Sequence, residues 1–259
     1  MSDSISSNTI NSIPSFGIII PARYASTRFP GKPLAFIGGK PMIIHTVESA
    51  LKCQPTMGVA VATDDDRIAQ AVFENLGNRV QVIMTDPNLP SGTDRCAEAL
   101  NQLNWECDVV VNLQGDEPFI QTQQVLKLVD AFNQIDTDIA TLKKAFSKSD
   151  ALGDPNKVKV LSNLDGTAMY FSRSVIPYNR GGLDYTYYRH IGMYAYRSSV
   201  LKTLQYLPST LLEQTESLEQ LRWLDHGLKI KVIETEYESP SVDTLDDLIL
   251  AEKRLQELE

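Results

Sequence analysis

The sequence predicts an α/β protein built on a doubly wound, mainly parallel sheet, with a smaller inserted lobe over about residues 140–200. Three observations predict it. Short apolar runs bounded by turn residues alternate with amphipathic stretches of helical period, an order that implies parallel strands joined by right-handed crossovers. One run, Asp108 to Leu113, is almost wholly apolar, as expected of a central strand covered on both faces. Further on the composition changes: residues 170–197 hold seven of the ten tyrosines, with Arg173, Arg180, Arg189 and Arg197, against a single acid, Asp184. At 259 residues the chain can bury a large core as one domain, residues 16–259, behind a polar opening, residues 1–15, that reads as a flexible tail.

Taken in order, Gly17 to Ile20 reads as a short buried strand ended by Pro21. Pro41 to Lys52 fits a first helix, with Met42, Ile43, Thr46, Val47 and Ala50 repeating on one side. A second strand over Met57 to Ala62 leads to Asp64, Asp65 and Asp66. These three carboxylates read first as a cap and favourable charge for the helix Arg67 to Leu76, ahead of a metal or nucleotide role. Arg79 to Met84 is a third strand. Ser91 and Asp94 then stand three apart, as in a capping box, before another helix. Asp108 to Leu113 follows, then a helix over Gln123 to Phe132 and a strand over Asp138 to Lys144. Alternation in Arg189 to Tyr196 indicates a strand. Thr210 and Glu213 repeat the capping-box spacing ahead of one long helical segment through His226, in which Leu218, Leu221 and Leu224 form the apolar face. Lys229 to Glu236 is the last strand, and Thr244 with Asp247 caps a terminal helix, Leu245 to Leu258.

Composition removes several functional classes. A formal net charge of -9 argues against general nucleic-acid binding, and no apolar run approaches the roughly 20 residues that span a bilayer. Cys53, Cys96 and Cys107 have no metal spacing and read as thiols in a reducing compartment, which places the protein in the cytoplasm.

Against this acidic background, residues 17–40 carry Arg23, Arg28, Lys32 and Lys40 and no carboxylate. Cations and exposed backbone N–H groups in a Gly- and Pro-rich loop after a strand suit a polyphosphate, although the loop matches neither the P-loop nor the dinucleotide fingerprint. Asp116 and Glu117 lie just past the carboxyl end of the expected central strand, where doubly wound sheets place ligands. Asp116 is separated from the following helix by Pro118, so helix capping does not account for it. Tyrosine rings beside arginines make a pocket for a polyhydroxylated acid, and the same residues suit a dimer interface; single-stranded nucleic acid is the weaker option in an acidic chain.

The stretch IPARYASTRFPGKPL resembles the signature loop of the sugar-activating nucleotidyltransferases, most nearly the cytidylyltransferases of 3-deoxy-manno-octulosonate (KDO), and the match recurs from Ile18 to about Leu258. The resemblance implies a nucleotide-diphospho-sugar transferase-like fold whose inserted lobe serves dimerisation and sugar binding. It implies transfer of CMP from CTP to KDO, giving CMP-KDO and pyrophosphate for lipopolysaccharide synthesis, by a cytoplasmic homodimer that uses Mg²⁺ and neither nucleic acid nor a membrane. Ala22, Arg23, Ser26, Lys32, Ser91, Gly92, Arg95, Gln114 and Asp116 would bind the nucleotide. Asp116 and Asp243 would hold the metal, and with Arg23 and Lys32 form the catalytic set. Arg173, in Tyr-Phe-Ser-Arg-Ser, would grip the sugar carboxylate, with His190, Tyr194, Glu219 and Gln220 completing the sugar pocket. For Glu219, a surface partnership with Arg222 is the competing reading. Leu89, Ser241 and Leu245 depart from the resembled pattern, which has His, Gly and Pro at those places. Amino-KDO or sialic acid as the acceptor, and a nucleotide-binding protein without turnover, are the alternatives.

Overall fold

The computed structural model describes residues 13–25, 29–147 and 150–258. The chain enters at Ser15, whose backbone N–H and hydroxyl both donate to Asp108, so this end of the expected tail is tied to the sheet. Strand β1 is Phe16–Ala22, longer than expected, because Pro21 continues the strand and pairs with Ala62. The proline is tolerated for a geometric reason. Ile18 donates its N–H toward the neighbour at Gly58, so by alternation residue 21 faces the other side of β1, where pairing ends at Ile19 with Asn112.

A short hairpin, β2 (Phe36–Ile37) and β3 (Lys40–Pro41), precedes helix α1 (Met42–Lys52), at whose start Pro41 stands as the N-cap. Strand β4 (Val59–Thr63), helix α2 (Asp66–Leu76) and strand β5 (Gln81–Met84) complete the first crossovers, and Asp65 caps α2 by accepting from the N–H of Arg67. Helix α3 (Gly92–Gln102) is capped by Ser91, whose hydroxyl accepts from the N–H of Asp94, and leads to strand β6 (Val109–Asn112). Helix α4 (Thr122–Asp130) and strand β7 (Ile139–Ala145) follow, then the hairpin β8 (Lys159–Ser162) and β9 (Ala168–Ser172). The long strand β10 (Tyr188–Arg197), helices α5 (Ser198–Leu204), α6 (Leu211–Glu216) and α7 (Glu219–Asp225), strand β11 (Ile230–Glu234) and helix α8 (Leu245–Leu258) close the chain.

The strands lie in the order β11-β7-β10-β6-β1-β4-β5, with β8 and β9 attached at β10. Pairs β1–β4, β1–β6, β4–β5 and β7–β11 are parallel, while β10 runs antiparallel between β6 and β7. The expected inserted lobe therefore begins and ends in the central sheet: β7 and β10 are sheet strands, and the intervening segment carries the β8–β9 hairpin, which joins the same sheet at β10. The chain leaves β1 for β4 on one side and returns to β6 on the other. That reversal opens a crevice at the carboxyl ends of β1 and β6.

Strand alternation divides the core. Ile18 and Ile20 pack with residues of α1, α2 and α4 on one face, whereas Ile19, Tyr194 and Tyr196 pack with α3, α5 and α7 on the other. A smaller cluster, Ile37, Met42, Phe119, Val242 and Ala251, joins the β2–β3 hairpin, the loop after β6 and α8. It brings the segments before Pro118 and after Ser241 to one place.

The long helix expected from Thr210 to His226 is two helices. The capping box of Thr210 and Glu213 starts α6, but Ser217 adopts a left-handed conformation (φ 50°, ψ 52°) and turns the chain before α7. Leu218, Leu221 and Leu224 all follow the break, so their apolar spacing marks α7 alone and carries no record of the turn.

Candidate active site

The crevice is a cleft of about 420 Å³ lined by residues from five places: Pro21, Ala22 and Arg23 at the end of β1, Lys32 and Pro33, Gly92 and Arg95 of α3, Gln114, Gly115 and Asp116 after β6, and Asp243. The described nucleotide-site candidates meet here, apart from Ser91, which stands next to Gly92. Ser26 lies outside the described residues. Lys32 is aimed by its own loop: Gly31, at φ 70°, donates its N–H to the carbonyl of Tyr24 and starts a single turn over Lys32–Leu34. A side chain at Gly31 would press on the Tyr24 ring, about 3.0 Å away.

The ammonium of Lys32 binds both Asp116 and Asp243, the latter at 3.0 Å. Burial works against its charge, but the two carboxylates outweigh burial and the pKa of Lys32 is raised. A backbone bond from Val242 N–H to the Asp116 carbonyl, 2.9 Å, locks the two carboxylate loops together. Ser241, where the resembled pattern has Gly, donates its hydroxyl to Asp243 at 3.1 Å. Thr244 and Asp247 form the expected reciprocal cap, and Asp247 also accepts the N–H of Asp243.

Two carboxylates sharing one cation fit the demands of Mg²⁺, which takes one or two carboxylates and completes its shell with phosphate oxygens and water. Among the described residues no cluster of three or more His, Cys, Asp or Glu is placed to hold a metal. Glu117 is a poor third anion: burial, then the charges of Asp116 and Asp243, push its carboxyl up to about 8.

Arg95 is fully buried and reaches Thr85 and Asp64, the latter at 3.1 Å. Burial lowers its pKa, with Asp64 opposing and Arg23 adding to the effect. Its guanidinium thus anchors the wall of the cleft through Asp64, which gives that carboxylate a structural partner. Arg23 lies exposed at the mouth. The amide nitrogen of Gln114 donates to Asn112 at 3.1 Å, which leaves its carbonyl oxygen beside Gly92.

The sugar candidates form a second group next to the first. His190, Tyr194 and Tyr196 lie on β10; the His190 and Tyr194 rings are 5.4 Å apart, and Tyr194 meets Trp223 of α7 edge-on at 5.1 Å. Burial pushes the imidazole of His190 down to about 3, so the ring is neutral, with Nε2 2.9 Å from the Thr141 hydroxyl. Glu219 and the buried Gln220 open α7. Arg222 does pair with Glu219 at 2.9 Å, as the competing reading held, but Ser91 and Thr93 also donate to the same carboxylate at 3.0 Å each. Glu219 is thereby joined to the rim of the nucleotide cleft, and burial raises its pKa.

Arg173 departs from the expectation. Its guanidinium donates to the carbonyls of Glu216, Pro155 and Ser217 at 2.7, 3.1 and 3.2 Å, so its fork grips backbone. It supports the turn that enters α7. Sequence reasoning also passed over Lys159, which is fully buried with its ammonium on the carbonyls of Asp154, Lys157 and Arg173. In the alternating run Lys157 to Val160 it reads as the solvent side of a strand. Thr93 was likewise not singled out, although it stands inside the Ser-Gly-Thr-Asp-Arg stretch.

Comparisons with known proteins show the family of the chain. The cytidylyltransferase family profile matches residues 17–230. A 3-deoxy-manno-octulosonate cytidylyltransferase of Parabacteroides distasonis is 50% identical over 240 residues, covering 89% of this chain and 94% of that protein. An 8-amino-3,8-dideoxy-manno-octulosonate cytidylyltransferase of Shewanella woodyi is 46% identical over 241 residues, covering 92% and 97%. The solved structure of a CMP:2-keto-3-deoxy-manno-octonic acid synthetase complexed with CTP superposes with a TM-score of 0.89 at 42% identity, covering 95% of this chain and all of that one.

Proposed function

Because the chain belongs to the cytidylyltransferase family, we propose that it transfers CMP from CTP to 3-deoxy-manno-octulosonate, releasing pyrophosphate. The observation that carries this reading is the convergence of Arg23, Lys32, Gly92, Gln114, Asp116 and Asp243 on one cleft at the reversal point of the sheet. The acceptor hydroxyl gives up its proton to solvent as its oxygen attacks the α-phosphorus of CTP, the bond from that phosphorus to the bridging β-phosphate oxygen breaks, and pyrophosphate leaves from the opposite side. Arg23 and Lys32 draw charge from the triphosphate, whose repulsion of an anionic sugar is the main barrier to approach. Mg²⁺ would be held by Asp116 and Asp243 and would supply charge neutralisation at the α-phosphate. The Gln114 oxygen accepts from the cytosine amino group, which favours CTP over UTP. His190, Tyr194, Glu219 and Gln220 orient the sugar; a neutral His190 serves by hydrogen bonding and not as a charge partner.

The working unit is a homodimer, supported by apolar residues exposed on the segment between β9 and β10, among them Tyr178 at 87% and Leu183 at 73%. No helix among the described residues is long and apolar enough to cross a membrane, and with unpaired Cys53, Cys96 and Cys107 a reducing cytoplasm fits the chain. Relatives named for the hydroxy and for the 8-amino sugar are about equally similar, so the far substituent of the acceptor is open to either. Pyrophosphate release with CTP, Mg²⁺ and each sugar tests the activity. Asp116→Asn and Asp243→Asn should each lower turnover by several orders of magnitude in a folded protein. Near-normal rates in either variant would remove that residue from the site.

A further inference from the structure

We propose that Thr93 is a positioning residue for the acceptor sugar: its hydroxyl fixes the Glu219 carboxylate so that a single acceptor position on Oε2 remains for one sugar hydroxyl. The inference rests on the reading of Glu219 as a sugar contact. It follows from counting protons and lone pairs. An ionised carboxylate offers about four acceptor positions. Oε1 of Glu219 faces Arg222 at 2.9 Å and Ser91 at 3.0 Å, and Oε2 faces Thr93 at 3.0 Å. On Oε2 one of the two positions is engaged by Thr93, which leaves the other.

The two hydroxyls are not equivalent donors. The single proton of Ser91 is contested, because Asp94 Oδ2 lies at 2.7 Å, closer than Glu219. Thr93 is 4% exposed, and its other polar neighbour is the Tyr196 hydroxyl at 3.5 Å, itself able to donate. The proton of Thr93 is therefore committed to Glu219, in a chain running from Tyr196 through Thr93 to the carboxylate. Tyr196 in turn stacks on Tyr194 and meets Trp223 edge-on at 5.7 Å, so the chain is held from both β10 and α7.

Thr93→Val removes the hydroxyl at nearly constant volume, Thr93→Ser restores it, and Thr93→Ala serves where valine disturbs folding. With CTP and KDO, Thr93→Val should raise the sugar KM roughly ten- to a hundredfold, as expected for losing a hydrogen bond to a charged group, with the CTP KM within about twofold of wild type. Thr93→Ser should recover most of the loss. An unchanged sugar KM in the valine and alanine variants, or an equal rise in the CTP KM, would overturn the assignment.

A second readout needs no turnover. Glu219 is faced by Arg222 on α7, Glu213 behind it on α6, Asp94 on α3, and Tyr194 and Tyr196 on β10. Thr93 favours the charged carboxylate, so in ¹³C-carboxyl NMR the titration of Glu219 should move to higher pH in Thr93→Val and return in Thr93→Ser. Coincident titrations in all three proteins would overturn the role. Wild-type protein inert toward KDO, with the NMR shift present, would instead count against the activity alone.

Discussion

At the scale of single residues, the site mixes groups held charged with groups held neutral. Lys32 keeps its proton because two carboxylates surround it, whereas His190 loses its own to burial. The second case has a measurable consequence. The imidazole is held at about 3 in the fold against 6.5 ordinarily. Between those values the unfolded chain takes up a proton that the folded chain refuses, so stability falls as pH falls through that window and is recovered above it. His190→Gln removes the titration while keeping an amide near Thr141. Melting curves from pH 7 to pH 4 should show a shallower loss of Tm for the variant than for wild type. Parallel losses would mean that the imidazole is not held neutral.

At the scale of elements, agreement between sequence and structure follows the range of the signal. The caps of Ser91, Thr210 and Thr244 act across three residues and were legible as spacings, as was α8. The loops that carry Arg23, Lys32 and Asp116 stood out because their charge is out of place in an acidic chain or outside any helix cap, whereas Asp243 entered through the resemblance. Three features depend on distant partners and were not legible. The break at Ser217 is braced by Arg173, just past β9, which grips the carbonyls of Glu216 and Ser217, and nothing in the local apolar spacing records it. Lys159 and Arg173 look like a surface cation and a ligand clamp until the carbonyls that occupy them are seen. The left-handed turn gives a direct check. Ser217→Gly relieves the conformation and should leave Tm nearly unchanged or slightly raised, whereas Ser217→Ile should cost about 1–2 kcal/mol. Equal melting of the two variants would show that the turn is not held left-handed in solution.

At the scale of the whole molecule, loops separated by more than half the chain close on one cleft, clamped by the cluster of Ile37, Met42, Phe119, Val242 and Ala251. A ligand that touches all of them should stabilise the entire fold. CTP with Mg²⁺ at a hundred times its Kd should add about 2.7 kcal/mol, which for a protein of this size is a rise of roughly 5–10 °C in Tm. Asp243→Asn should lose most of the Mg²⁺-dependent part of that shift. A full shift in the variant would place the cation elsewhere.

The position of Asp243 behind every strand of the sheet also sets a timetable. Chains are synthesised at about 5–20 residues per second and fold from the N-terminal side, so roughly 6–25 s separate the appearance of Asp116 from that of Asp243. During that interval the loops after β1 and β6 can form, yet the carboxylate pair is incomplete. On the reading of Asp116 and Asp243 as partners, a nascent chain is inert toward its substrates until the segment leading into α8 docks against Phe119.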